Sequence, residues 1–321
     1  MTALICGSLA YDNIMVFQDR FKNHILPHRI HILNVCFLVP EMRREFGGCA
    51  GNIAYNLKLL GAEALPVATV GHDFDAYAAW LDACGISRRH VKTIADQWTA
   101  QAFITTDLDD NQITAFHPGA MSHSHKNRLP PLDGVRLAII SPDGREGMLE
   151  HTAALAEAKV PIIFDPGQGL PMFEKEELLW FLSRATYVTV NDYEWQLLHE
   201  RTGLSPEALC ERVRGLIVTL GAQGSCIYAE GRRYEIPAAK PRAVRDPTGC
   251  GDAYRAGLIL GLLRDLDWDT TGRIASLMGA IKIEHHGTQN HRFAHSELAA
   301  RYEEGFGASP PEIFRPPEIF R

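Results

Sequence analysis

Asp246-Pro247-Thr248-Gly249-Cys250-Gly251-Asp252 runs directly into the small-residue stretch Ala253-Tyr254-Arg255-Ala256-Gly257-Leu258-Ile259-Leu260-Gly261. Gly249 and Gly251 let the backbone bend so that successive N–H groups converge at the start of the following helix, where unpaired amides and the helix dipole favour an anion. A carboxylate at Asp252 would repel that anion. Its presence is explained if it takes a proton from an attacking hydroxyl while the amides of Gly249, Cys250 and Gly251 hold the transferred group. The chemistry that suits this pattern is phosphoryl transfer. A helix start capped by an acidic residue has the same appearance, so the segment alone leaves both readings open.

The same seven residues resemble the C-terminal signature of the ribokinase-like (PfkB) sugar and nucleoside kinases, with Cys250 where members of that family carry Ala or Val. The family's second signature is matched by Phe46-Gly47-Gly48-Cys49-Ala50-Gly51-Asn52-Ile53-Ala54, leading into a helix that ends at Gly61. A Gly-Gly before a helix is weak by itself. Two signatures in family order, about 200 residues apart, are specific. The resemblance implies an α/β fold: a ribokinase-like three-layer α/β/α core with a mostly parallel central sheet and a small β-sheet lid. It also implies ATP as phosphoryl donor, Mg2+ as the metal, and Asp252 as general base.

Other positions take their expected roles from the resemblance. Asp12, Gly48 and Asn52 would hold the ribose, and Ser8 and Gln168 would meet the base. Asn191-Asp192-Tyr193-Glu194 looks like the family's Asn-x-x-Glu element, with Glu194 organising Mg2+ through water; an N-capped helix start reads the same way. Thr219, Gly221 and Gly224 resemble the nucleotide-binding loop. Asp246 and Thr248, with carbonyls near His285 and Gly287, would hold a potassium-type ion. Finer wording is similar to bacterial adenosine kinases: Ser8 to Asp12, the stretch Phe21 to Val39 with Leu26-Pro27, Phe116 to Met121, and Asn191 to Trp195. The implied reaction moves the ATP γ-phosphoryl group to the adenosine 5′-hydroxyl, giving AMP and ADP in purine salvage. A purine needs apolar faces and a few edge hydrogen bonds. Phe37, Phe103, Phe116 and Met121 lie in segments able to build such a slot, although strand alternation forbids Ala102 and Phe103 from facing it together. Another purine-nucleoside or sugar kinase, or a noncatalytic nucleoside-binding protein, would share the fold; the intact Asp252 speaks against the last.

The elements that must position these residues alternate β-rich runs with amphipathic helix-length ones, as a parallel α/β sheet requires. Ala138 to Ser141, Pro161 to Asp165, Tyr187 to Val190 and Leu216 to Leu220 read as buried strands, and Gly147 to Lys159, Glu174 to Ser183 and Tyr193 to Thr202 as helices. Asp165, Asn191 and Gly221 follow strand ends, where ligand sites collect in open α/β sheets. Ile30 to Val39, and Gln101 to Thr106 with Gln112 to His117, read as antiparallel lid strands. The expected division is therefore a core of residues 1–12, 46–95 and 119–308, a lid of 13–45 and 96–118, and a flexible tail of 309–321. That tail repeats Pro-Pro-Glu-Ile-Phe-Arg at 310–315 and 316–321, either as a mobile extension or as an arm docking on a partner subunit.

Composition is compatible with this class without selecting it. The 321 residues are enough for one sizeable core plus a lid, and a net charge of −7 argues against nonspecific nucleic-acid binding. No long apolar segment spans a membrane, and Met1 to Gly7 lacks a basic start and cleavage pattern, so a cytoplasmic protein is expected. Seven cysteines without close pairs fit reduced thiols, and the histidines lack zinc spacing. Homodimer pairing is expected through the lid.

Overall fold

The computed structural model describes residues 2–25, 32, 34–109 and 111–314. The chain opens with β1 (Thr2–Cys6), β2 (Ala10–Val16) and β3 (Glu41–Gly47), followed by α1 (Cys49–Leu59), β4 (Glu63–Val70), α2 (Asp75–Ala83) and β5 (Val91–Thr93). The hairpin β6 (Ala100–Thr106) and β7 (Gln112–His117) precedes β8 (Val135–Ile140), α3 (Arg145–Glu157), β9 (Ile162–Phe164), α4 (Lys175–Leu182) and β10 (Tyr187–Asn191). Then come α5 (Asp192–Thr202), α6 (Pro206–Cys210), β11 (Gly215–Thr219), β12 (Ser225–Ala229), β13 (Arg232–Ile236), α7 (Cys250–Leu263), α8 (Trp268–Ile283) and α9 (His295–Phe306).

A nine-stranded sheet runs β13-β12-β11-β10-β9-β8-β1-β4-β5. It is parallel from β5 to β11 and closes with the antiparallel pairs β11–β12 and β12–β13. Apolar runs such as Leu137 to Ile140 are buried on both faces because helices cover both sides. One core packs α1, α2, α7, α8 and α9 on one face, and a second packs residues of α3 to α6 on the other. Strand order reverses at β1, which lies between β4 and β8, and α/β sheets bind ligands outside the strand ends at such a switch. There Ser8 N donates to Pro142 O at 3.2 Å, joining the segments that leave β1 and β8.

The lid is a four-stranded sheet of order β3-β2-β6-β7. Its β2–β3 and β6–β7 pairs are antiparallel, whereas β2 and β6 run parallel. Three sequence expectations change here. The strand expected over Ile30 to Val39 does not form at 34–39; residues 26–31 and 33, including Leu26-Pro27, lie outside the described residues. Charged Glu41–Gly47 takes that place, because its backbone meets β2 residue for residue and an edge strand needs no apolar outer face. The lid sheet also begins at Ala10 and includes Phe46-Gly47, so Asp12 belongs to it. Finally, the first tail repeat docks: Phe314 is buried, with its ring 6.1 Å from Tyr302 of α9. The second repeat, from residue 316, lies outside the described residues, as does Asp110 in the β6–β7 turn.

Candidate active site

Gly249 stands at the N-cap of α7 with φ 77°, a left-handed conformation open to glycine, and a Cβ there would meet Thr288 Cγ2 at 2.9 Å. Cys250, Gly251 and Asp252 form the first turn with the Asp252 carboxylate at the helix start; the expected Cys250 amide is already used, donating to Pro247 O at 3.2 Å, which leaves those of Gly251 and Asp252. The helix is seated by small residues: a Cβ on Gly257 would come 2.6 Å from the Ala275 Cα of α8. Gly48, at φ 85°, starts α1 against the Ser8 carbonyl, where a Cβ would come within 2.6 Å. The two signatures thus face each other as helix starts.

They meet side chain to side chain. Asn52 Nδ2 donates to Asp252 Oδ2 at 2.8 Å, and Gln289 Nε2 donates to Asn52 Oδ1 at 3.0 Å. Gln289 is itself fixed by Tyr77 OH, which accepts from Nε2 at 2.7 Å, and by Trp80 Nε1, which donates to Oε1 at 2.9 Å. This relay orients Asp252 and leaves one Asn52 N–H for another acceptor. Burial lifts the Asp252 pKa to about 6, against the pull of the Arg255 charge and the Asn52 hydrogen bond. Asp12 is also raised to about 6, by burial and then by repulsion from Asp252, Asp246 and Glu45. A carboxylate poised near 6 is ionised at neutral pH and basic enough to take a hydroxyl proton in flight.

Arg255, one turn beyond Asp252, lies buried against Asp165 after β9, with Nη2 2.6 Å from Oδ1 and Nε 2.5 Å from Oδ2. Ser141 Oγ adds a hydrogen bond to Asp165 at 3.1 Å. The guanidinium charge reaches Asp252 and Glu194 as well, so one cation serves three carboxylates below the anion cradle. Asn191 and Glu194 form a reciprocal cap: Glu194 N donates to Asn191 Oδ1 at 2.7 Å, and Asn191 N to Glu194 Oε2 at 2.8 Å. Asn191 lies opposite Thr219 in register, at the carboxyl ends of β10 and β11. Gly221 and Gly224 follow in the next turn, both at positive φ.

Asp12, Ala102 and Phe116 occupy opposite positions on β2, β6 and β7, and laterally paired residues share a face of a sheet. The half-exposed Phe116 ring therefore lies on the Asp12 face of the lid, and Phe103 points to the other. Ser8 Oγ accepts from Cys49 N at 3.2 Å, which uses its hydroxyl in starting α1. Phe37 joins the rings of Phe17 and Phe21 at 4.7 and 5.0 Å. Met121 sits in the turn after β7, and Gln168 is exposed in the turn after β9. Among the described residues, no hydrogen bond or ring contact joins Phe37, Met121 or Gln168 to Asp12 or Asp252.

The expected potassium residues do come together, but with a cation already among them. Asp246 carboxylate oxygens accept from Thr248 N and Gly287 N, both at 2.9 Å. The Asp246 and His285 carbonyls accept from Lys282 Nζ at 2.8 and 3.1 Å, so the donor set does not fit a further monovalent ion. Lys282, Arg255, Gln289, Tyr77 and Asp165 were not assigned site roles from the sequence; only Asp165, following a strand end, carried a signal.

The chain is similar to known proteins in sequence and fold. The pfkB family carbohydrate kinase profile matches residues 22–293. A nucleoside kinase of Methanocaldococcus jannaschii is 32% identical over 272 residues, covering 84% of this chain and 89% of its own. Solved structures of the Burkholderia thailandensis nucleoside kinase are also similar. Its inosine complex is 51% identical with a TM-score of 0.88, covering 96% of this chain and 99% of that one. Its ADP-inosine complex is 52% identical with a TM-score of 0.85, covering 96% and 97%.

Proposed function

The chain belongs to the pfkB family of carbohydrate kinases, and from that premise we propose that it is a purine-nucleoside kinase, transferring the ATP γ-phosphoryl group to the 5′-hydroxyl of adenosine or inosine. The observation that carries this reading is the pairing of Asp252, poised near 6 at an amide-lined helix start, with Asp12 and Phe116 on one face of the lid. Asp12 accepts hydrogen bonds from the ribose hydroxyls, with the remaining Asn52 N–H as a further donor. Phe116 covers one face of the purine. The exposed Gln168 amide offers both a donor and an acceptor, so it suits the amino group of adenosine as well as the carbonyl of hypoxanthine. Inosine complexes of a relative half identical to this chain support the second acceptor beside the first.

The chain's own residues carry each step. The relay through Asn52 holds the Asp252 carboxylate toward the acceptor hydroxyl, and the carboxylate removes the proton as the oxygen–phosphorus bond forms. The amides of Gly249 and Gly251 receive the charge of the moving group, whereas the Cys250 amide is taken by Pro247 O, and lid closure excludes water that would otherwise take the phosphoryl group. Thr219, Gly221 and Gly224 line the turn that receives the donor nucleotide. Magnesium fits a site with few protein ligands, because it keeps waters and takes most other oxygens from phosphates; Glu194, with Oε2 used in its cap, has Oε1 for such a water. When bound it neutralises charge on the donor phosphates.

The test is ADP release with adenosine, inosine, guanosine and ribose side by side. Adenosine and inosine should exceed ribose by about 100-fold or more in kcat/KM, the scale of an unfilled base slot. Ribose turnover equal to that of the nucleosides would make this a sugar kinase. No ADP release with any of them would remove the reading.

A further inference from the structure

We propose that the side chain of Lys282 is a tethered replacement for a monovalent cation, joining the two loops that shape the anion cradle, so that this enzyme works without potassium. Lys282 is the penultimate residue of α8, and its side chain is fully buried, at 0% exposure. Burying an ammonium is costly unless it is fully partnered, and these partners are backbone carbonyls from two separate loops. One is Asp246, which leads into the turn before α7; the other is His285, in the turn that leaves α8. The Asp246 carboxylate ties the same two loops from the other side, through Thr248 N and Gly287 N.

An ammonium and a potassium ion carry the same charge, are similar in size, and take the same carbonyl oxygens as partners. A free ion between these carbonyls would lie in contact with the Lys282 charge, and like charges at that separation repel strongly away from water. The site therefore holds one cation, and the chain supplies it. Its position matters to catalysis because Asp246 O anchors the segment whose next turn, with Cys250 N donating to Pro247 O at 3.2 Å, sets the convergence of the α7 amides. Gly287 and Thr288 continue the other loop, with Thr288 packed on Gly249 and its Oγ1 donating to Phe46 O at 2.6 Å. Lys282 is thus a positioning residue for the cradle and touches no reacting atom.

The experiment compares wild type with Lys282→Ala at constant ionic strength in potassium, ammonium, sodium and tetramethylammonium chloride. It reads ADP formation with adenosine and inosine, and melting temperature without substrate. The melting arm is independent of the acceptor reading, so a failure of that reading silences the rate arm alone. Wild type should vary less than about two-fold in rate across the salts, with no potassium-specific rise in melting temperature. Lys282→Ala should lose about ten-fold or more in tetramethylammonium and recover in potassium or ammonium chloride, and its melting temperature should rise with added potassium. A wild type that loses most of its rate, or several degrees of stability, when potassium is withdrawn overturns the proposal even if the variant does not fold. A folded Lys282→Ala protein that ignores the cation in both readings overturns it too.

Discussion

In the proposed reaction, catalysis and stability pull in opposite directions at Asp252. Its folded pKa of about 6 lies above the ordinary 3.8, so the native state binds the proton more tightly than the unfolded chain. Stability then falls as pH rises from about 4 to about 6 and stays reduced above that, on the order of 1–3 kcal/mol. Asp252→Asn should therefore melt a few degrees higher than wild type at pH 8, while turnover drops about 10²- to 10⁴-fold with nucleoside binding kept. Near-normal turnover would remove Asp252 as base, and a lower melting temperature would refute the strain. If Asp252 is the base, kcat/KM should have an acid limb, falling as pH drops through about 6. Asp12, also near 6 and repelled by Asp252, should make that limb steeper than one proton, and Asp12→Asn should return it to one. A one-proton limb in wild type would show that Asp12 does not titrate with the site. The helix start and its carboxylate were legible in the sequence because both are local. Gln289 and Lys282 were not, since Asn52 and Asp246, the partners that tie them to the site, lie 237 and 36 residues away and only the fold brings them together.

At the scale of elements, the proposed choice of acceptor rests on the lid. The row Asp12–Ala102–Phe116 spans three strands, so the proposed ribose grip and base platform belong to one sheet. That sheet is pinned to the core by Asp73, whose Oδ1 accepts from Thr99 N at 2.7 Å and whose Oδ2 accepts from Gln101 Nε2 at 3.1 Å. Phe116→Ala removes an aromatic face worth roughly 1–3 kcal/mol by analogy with stacked bases. Adenosine kcat/KM should fall accordingly while any phosphorylation of free ribose is unchanged. Equal loss on both substrates would assign Phe116 to the lid itself, and equal retention would place the base elsewhere. Asp73→Ala should act more broadly, raising KM for every acceptor and costing about 1–3 kcal/mol of stability for buried donors left unpaired. An unaltered KM would show that Asp73 does not hold the lid in register. The β6–β7 hairpin was readable from sequence because two short β-rich runs flank the turn residues Asp107 to Asn111. The Glu41–Gly47 strand was hidden because its first four residues are exposed and mostly charged, with no apolar period to announce it.

For the whole molecule, the parallel core was legible because strands buried on both faces must be written as apolar runs, whereas the stretch from Pro310 to Phe314 was misjudged on its prolines. Pro310-Pro311 does oppose a regular helix, yet the turn that follows at Glu312–Phe314 drops Phe314 into the α9 side of the core. No helix among the described residues is long and apolar enough to cross a membrane. α9 is held to the end of α8 by Arg301, whose Nη1 and Nη2 donate to the two Glu284 oxygens at 2.9 and 2.6 Å. α8 in turn packs against α7, which carries Asp252. Phe314 is therefore the outermost link of a stack that ends at the catalytic helix. Phe314→Ala should cost about 3–5 kcal/mol, the range for emptying a buried aromatic site. The melting temperature should drop by several degrees, with kcat at 25 °C unchanged, because α7 is also held by α1 and by the Arg255–Asp165 pair. An unchanged melting temperature would mean that the segment lies loosely on α9, and a kcat falling in step with stability would mean that its packing reaches the active site.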